Sequence, residues 1–301
     1  MTTTTPVPAG AARTTRSAAR AGQAGGQHRA GPFAYVVLGL AALASLFPLY
    51  WTLVAASTDS HSVVSSPPPL VPGGNLFKNL AYVWDNAGGR GMGVALLNST
   101  LVAGAVTLTT VTFSVLAGFA FAKLRFRGMK VLLGLVLATL AVPAQLSVVP
   151  LFILTKNMGL GNHLGALILP VLVTAFGVFF MRQFLSQALP TELLEAARVD
   201  GANSLRVVWH IVFPVARPAM AILGMLTFVQ SWNDFLWPII VMNGSTNPTV
   251  QVALAGLGTG WSTDWSVITA GALIGTLPLL LVFVLFGRHI VGGITQGAIK
   301  G

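Results

Sequence analysis

Long apolar runs alternate with short polar ones along most of this chain, and the runs are too long for β-strands and too free of charge for the helices of a water-soluble core. They lie at about residues 33–54, 94–122, 131–154, 164–180, 219–242 and 266–286. An α-helix needs roughly 17–25 apolar residues to cross hydrocarbon, whereas a membrane β-strand needs only about 9–11. The pattern predicts an all-α polytopic membrane protein with six transmembrane helices. Pro143 and Pro150 fall in the third run, Pro170 in the fourth, Pro238 in the fifth and Pro278 in the sixth. Each removes a backbone donor and predicts a kink or an end.

The polar segments divide the chain. Residues 1–32 are rich in Thr, Ala and Gly, carry Arg13, Arg16, Arg20 and Arg29 and contain no acid. Such a segment buries too little apolar surface to offset its ordering, which predicts a disordered basic extension. The run that follows exceeds a signal-peptide core in length and is expected to remain as the first span. Residues 33–287 then form the six-helix domain, with 288–301 as a C-terminal tail.

Composition supports the class: 54% of residues are hydrophobic and 8% charged, against about 25% charged in soluble domains. The net charge of +10 suggests nucleic acid only until its distribution is drawn. If six spans place both termini on one side, the segments on that side hold fourteen of the seventeen Lys and Arg, leaving Lys78, Arg90 and Lys156 opposite. The positive-inside rule then predicts cytoplasmic termini and a cytoplasmic 190–218 loop. Anionic lipid is the expected counter-surface, and no nucleic-acid partner is implied. There is no cysteine, and His28, His61, His163, His210 and His289 are scattered without metal-ligand spacing. No metal site is expected.

Residues 190–218, PTELLEAARVDGANSLRVVWHIVFPVARP, concentrate what charge there is. Three of the seven acids, Glu192, Glu195 and Asp200, sit within nine positions. The order of residues predicts a short amphipathic helix, a turn at Asp200 and Gly201, and a second helix from about Asn203 that stops before Pro214. Asp234 is the sole acid inside an apolar run, where ionisable groups are costly and often functional. With Gln145, Gln230 and Asn233 it is a candidate to line a solute path. Two blander readings stand beside this one: Asp234 as an interfacial cap flanked by a tryptophan belt, and the glutamines as interhelical glue. Asn98, Ser99 and Thr100 match a glycan-acceptor pattern, read as coincidence.

The charged loop resembles the EAA motif of permease subunits of ABC importers, through Glu195, Ala196 and Ala197, then Asp200, Gly201 and Ala202, then Ile211, Pro214 and Pro218. The WNDFLWP run at 232–238, the TDW at 263–265 and the closing GGITQGAIKG at 292–301 are similar to the MalG-type subunit of the carbohydrate-uptake branch. The resemblance covers residues 33–301. It implies a multi-pass protein of a bacterial inner membrane that forms half of the path for a sugar, a di- or oligosaccharide. It also implies a second homologous permease subunit, an ABC-type ATPase dimer and an extracytoplasmic solute-binding protein as partners. No Lys is followed by Ser or Thr, so the chain lacks a phosphate-binding P-loop. No catalytic residue and no cofactor is expected in this chain, with ATP and Mg held by the partner ATPase. By the same resemblance Glu192, Glu195, Ala196, Ala197, Asp200, Gly201, Ala202 and Pro214 belong to the ATPase-coupling loop, and Gly297 and Lys300 to a tail at the ATPase interface. Alternatives are the same architecture carrying glycerol phosphate, an amino acid or a peptide, or a secondary transporter, against which the single intramembrane acid stands.

Overall fold

The computed structural model describes residues 31–242, 247–258 and 263–298, and all regular structure within them is helical, in keeping with the predicted class. The described residues up to 48 and those from 49 onward fall into two compact units. In the first lie the opening turns of helix α1 (Pro32–Ser57), apolar on every face as a helix in hydrocarbon requires. The second unit continues with α2 (Leu76–Asn86), α3 (Met92–Lys123), α4 (Met129–Leu140), α5 (Val148–Asn157), α6 (Ala175–Ala188), α7 (Thr191–Val199), α8 (Ser204–Trp232), α9 (Leu236–Val241), α10 (Val250–Gly256) and α11 (Trp265–Ala298). Among the described residues α1, α3, α8 and α11 are long and apolar enough to cross a bilayer. Two bent pairs raise the number to six if each pair counts as one crossing.

Four boundaries depart from the sequence pattern, each for a local reason. The third run is not one span: Met129–Leu140 and Ala144–Asn157 meet at 96°, with Pro143 at the break. Pro150, by contrast, lies in the first turn of α5, where a missing N–H is tolerated. Helix α6 continues past the expected end at 180 to Ala188, because Gln183, Ser186 and Gln187 end the apolar run without ending the helix. The expected stop before Pro214 does not occur. Instead Val208–Val212 form a π-turn in which the Phe213 N–H donates to the Val208 carbonyl five residues back. The widened turn accommodates the proline ring and its absent donor, and α8 runs on through Pro218 to Trp232. The fifth run then breaks at Asn233 and restarts as α9, short of the single span expected to 242. The tail is helical as far as Ala298, which places Gly297 in α11; Lys300 lies outside the described residues.

Helix α3 packs against α6 and α8. At its crossing with α6 a Cβ on Gly118 would lie 2.7 Å from the Arg182 backbone N and from the Met181 Cβ, and Gly177 sits against the Ser114 hydroxyl. Small residues permit this approach of backbones, the usual means by which helices associate in lipid. At the far end of α1 the buried Asn79 of α2 donates through Nδ2 to the carbonyls of Ala56 (2.9 Å) and Thr58 (3.0 Å). The Asn75 N–H reaches the Ser57 carbonyl at 2.8 Å. Carbonyls left over at the helix end are thereby satisfied.

Candidate functional site

Two features stand out at different levels of the bundle. The first is helix α7. Its Leu194 and Ala197 are buried in a cluster with Val115 and Phe119 of α3, Leu185 of α6 and Val212 of α8. Glu192, Leu193, Glu195, Ala196, Val199 and Asp200 face outward. Ala196 and Ala197 thus differ in role: Ala196 is on the open face, whereas Ala197 anchors the helix to its own chain. The Glu195 carboxylate makes no hydrogen bond or ion pair among the described residues.

Helix α7 ends in a Schellman motif. Asp200 is its C-cap, and Gly201 adopts φ +75°. The Gly201 N–H donates to the Arg198 carbonyl (3.0 Å) and the Ala202 N–H to that of Ala197 (2.9 Å), the paired bonds that satisfy a helix end. Nothing lies within 4 Å of a Cβ built on Gly201, so the backbone conformation, not space, calls for glycine. Asn203 then caps α8, its Oδ1 accepting from the Arg206 N–H at 2.8 Å. The Glu-Ala-Ala and Asp-Gly-Ala triplets therefore encode a short helix, its stop and a reversal into α8. Val199 (88% exposed), Leu205 and Trp209 leave apolar surface open around this reversal, the mark of a contact face. Pro214 lies beyond that face, inside α8.

The second feature is a cavity of about 460 Å³ where three interrupted helices meet. Ala144 and Gln145 follow the break at Pro143, Pro170 and Thr174 flank the bend before α6, and Asp234 occupies the gap between α8 and α9. Interrupted backbone at membrane depth is tolerated where it lines a cavity or is buried in protein. The polar lining comprises Ser99, Gln145, Thr227, Gln230, Asp234 and Thr249, with Thr174 and Ser231 beside them. Asp234 is the one charged residue in it, among the described residues.

Three of the four path candidates, Gln145, Gln230 and Asp234, come together here. Asn233 does not line the cavity: it is exposed, and its Nδ2 donates to the Val229 carbonyl of its own helix (2.9 Å). Asp234 lines the cavity and does not cap α9: the N-cap position belongs to Phe235, and no side-chain cap bond is made there. The tryptophan belt is not found. Trp232 is 1% exposed and donates to the Gly275 carbonyl (3.1 Å), while Trp237 donates to that of Ala166 (2.9 Å). Sequence reasoning missed Ser99 and Thr249. The Asn-Ser-Thr pattern was the available signal: Asn98 Nδ2 donates to the Pro248 carbonyl (3.1 Å), and the Ser99 hydroxyl accepts from the Val250 N–H (2.8 Å). Together they fasten the segment before α10 to α3.

A model of the family described as binding-protein-dependent transport system inner membrane component matches residues 110–296, a span that holds α7, its reversal and most of the cavity wall. The chain belongs to that family. This permease is 33% identical over 269 residues to the sn-glycerol-3-phosphate transport system permease protein UgpE of Yersinia pestis bv. Antiqua, covering 88% of this chain and 95% of that one. To the protein of the same name from Escherichia coli O157:H7 it is 32% identical over 267 residues, with 87% and 94% covered. Its fold is also that of a chain in the crystal structure of a bacterial ABC transporter involved in the import of the acidic polysaccharide alginate. There the TM-score is 0.72 at 21% identity, over 84% of this chain and 94% of the other.

Proposed function

We propose that this permease forms half of the translocation path of an ATP-driven, binding-protein-dependent sugar importer and transmits the motion of a separate ATPase to that path. The observation that carries the reading is the continuity of α8. It begins three residues after Gly201 and ends at Trp232, beside Gln230 and Asp234 of the cavity wall. At about 1.5 Å per residue it is on the order of 40 Å long, a single lever from the exposed reversal to the cavity. Helix α7 is keyed into α3, α6 and α8 through Leu194 and Ala197, so force applied to Glu192, Glu195 and Ala196 moves those helices as a body.

In this reading ATP and Mg are held by an ATPase dimer that grips the α7 face, and a second homologous permease closes the other half of the path. An extracytoplasmic binding protein delivers the solute to the opposite end. The concentration of Lys and Arg on the α7 side supports a cytoplasmic position for that loop and for both termini. It also supports assigning the tail that carries Gly297 and Lys300 to the ATPase interface. The cargo names carried by the relatives, a glycerol phosphate and an acidic polysaccharide, both belong to polyhydroxylated compounds and support a sugar-like cargo, here a di- or oligosaccharide. The test is ATP hydrolysis by the complex reconstituted in liposomes with its binding protein and a panel of sugars, polyols and glycerol phosphates. Stimulation that requires both binding protein and one solute is expected, together with loss of that stimulation in E195A at unchanged assembly. Solute-independent hydrolysis that E195A leaves unaltered would refute the reading.

A further inference from the structure

Helix α2 meets different surroundings around its circumference. Leu76, Asn79, Leu80 and Val83 face inward, where Val83 packs in one cluster with Met92 and Ala95 of α3 and Val267 and Ala270 of α11. At about 100° per residue, Phe77, Ala81 and Trp84 share one flank of that buried stripe, Lys78 and Asp85 point directly away from it, and Tyr82 and Asn86 take the other flank. All seven are exposed, Phe77 by 82% and Trp84 by 53%. One flank is thus apolar and uncovered, while the crest of the helix carries charge. The Trp84 ring leans on the first turn of α3, where a Cβ on Gly93 would lie 3.5 Å from it.

The neighbours of α2 fix its level. A Cβ on Gly271 would lie 3.5 Å from Val83 Cγ1, and Gly271 follows Trp265, the first residue of α11, by six positions, or about 9 Å. The apolar stretch Trp265–Gly287 has 23 residues and measures about 34 Å, little more than the ~30 Å of hydrocarbon. Helix α2 therefore lies below the end of that span, where headgroups give way to acyl chains. The segment leading into it reaches the same level. Tyr50 Oη donates to the Leu70 carbonyl at 2.6 Å, and Tyr50 precedes the end of α1 at Ser57 by seven positions, about 10 Å. Leu70 and Val71 are exposed there, and Pro67, Pro68 and Pro69 bring no N–H groups for lipid to leave unpaired. This level is at the start of α3, whereas α7 packs on Val115 and Phe119 toward its other end.

We propose that α2 is a membrane-surface helix: its flank of Phe77, Ala81 and Trp84 sits at the boundary of headgroups and acyl chains in the leaflet opposite α7, and Lys78 and Asp85 remain in water. Amphipathic helices lie at this boundary with an apolar face sunk about 5–10 Å, and tryptophan favours it. A protein arriving at the mouth of the bundle from water would meet the charged crest. A span of another subunit would favour small residues in place of Phe77 and Trp84. Packed on both α3 and α11, the helix sets the depth at which these two spans are held in the bilayer. The inference needs only a chain that crosses a membrane and is independent of its cargo.

The chain has no cysteine, so F77C, A81C, K78C and D85C each accept a single nitroxide label. Each labelled permease is assembled with cysteine-free partner subunits in vesicles of phosphatidylethanolamine and phosphatidylglycerol. Electron paramagnetic resonance then measures collisions of the label with oxygen, which concentrates in lipid, and with a water-soluble nickel chelate. The oxygen-to-nickel ratio is expected to be about threefold or more higher at positions 77 and 81 than at 78 and 85, and to stay the same when solute-loaded binding protein is added. Equal ratios at the four positions would overturn the proposal. So would labels at 77 and 81 that neither reagent reaches, the sign of cover by another permease chain, or loss of access on adding binding protein, the sign of a protein-docking face. Cysteine is close to alanine in size and Ala81 is exposed, so A81C decides the outcome if F77C assembles poorly.

Discussion

Gly201 offers a substitution series in which backbone strain and contact can be told apart. Its φ of +75° is a conformation that costs an L-residue about 1–2 kcal/mol, less for Asn, whose side chain compensates locally. The space around a Cβ at this position is open, so the folded chain itself adds no steric term. Ala is therefore expected to destabilise the reversal by about 1 kcal/mol, a β-branched Val by about 2 kcal/mol, and Asn by only a few tenths. Because the Ala202 and Arg198 bonds of the motif depend on this turn, the loss falls on the seating of α7. The assay is the stimulation of ATP hydrolysis by loaded binding protein in reconstituted complexes, alongside thermal unfolding. Activity should fall in the order Gly, Asn, Ala, Val. An Asn variant as damaged as Val would show that a side chain at 201 clashes with the partner and that φ is not what matters. A fully active Val variant would refute the role of the turn altogether.

Gly118→Val should destabilise the protein by about 1–3 kcal/mol, since its Cβ meets backbone and Cβ atoms of α6 at 2.7 Å and the helices must separate; the thermal midpoint of the purified permease reads this directly. Asn79→Ala strips two buried carbonyls of their donor and should cost about 1–3 kcal/mol, visible in the same measurement and as faster hydrogen exchange at the end of α1. Asp59 caps the turn Ser60–Val63, and hydrogen bonds from the Ser62 hydroxyl and backbone N–H hold its carboxyl below the usual aspartate value. The folded pKa being the lower one, its contribution is present above the unfolded value near 3.9 and is lost as pH falls from there through the folded value. The stability difference between wild type and D59A should accordingly be constant from pH 5 to 7 and close below about pH 4. A difference that widens on acidification would contradict the assignment.

The class and the exposed handle were legible in the sequence because both depend on local chemistry. Apolar length marks a membrane helix, and a glycine after Asp200 marks a helix stop whatever lies around it. The broken helices were less legible. Pro143 announced the bend, but Pro214 announced an end that a π-turn removed, and nothing in the order of residues separates these outcomes. The cavity was half visible: Gln145, Gln230 and Asp234 are polar residues inside apolar runs, while Asn233, beside them in sequence, turns back onto its own helix. Ser99 and Thr249 escaped notice because small hydroxyl residues are common in membrane helices and their roles depend on a long-range contact, Ser99 to Val250, that no local pattern encodes. The approach of α3 to α6 had a signal in the spacing of Ser114 and Gly118, four residues apart on one face.

The π-turn at Val208–Val212 amounts to one additional residue wound into α8. In an uninterrupted α-helix each residue advances the side-chain direction by about 100°. Everything from Phe213 to the end of α8 is therefore out of phase with what Ser204 to Val207 alone would dictate, and Gln230 owes its heading to that offset. Removing a single residue from the turn would leave a tidier helix, with ordinary hydrogen bonds, that aims a different stripe of side chains at the cavity. Chain length between the reversal and the path is thus part of the specification, and an engineer transplanting either end into another permease must carry the count across as well as the motif.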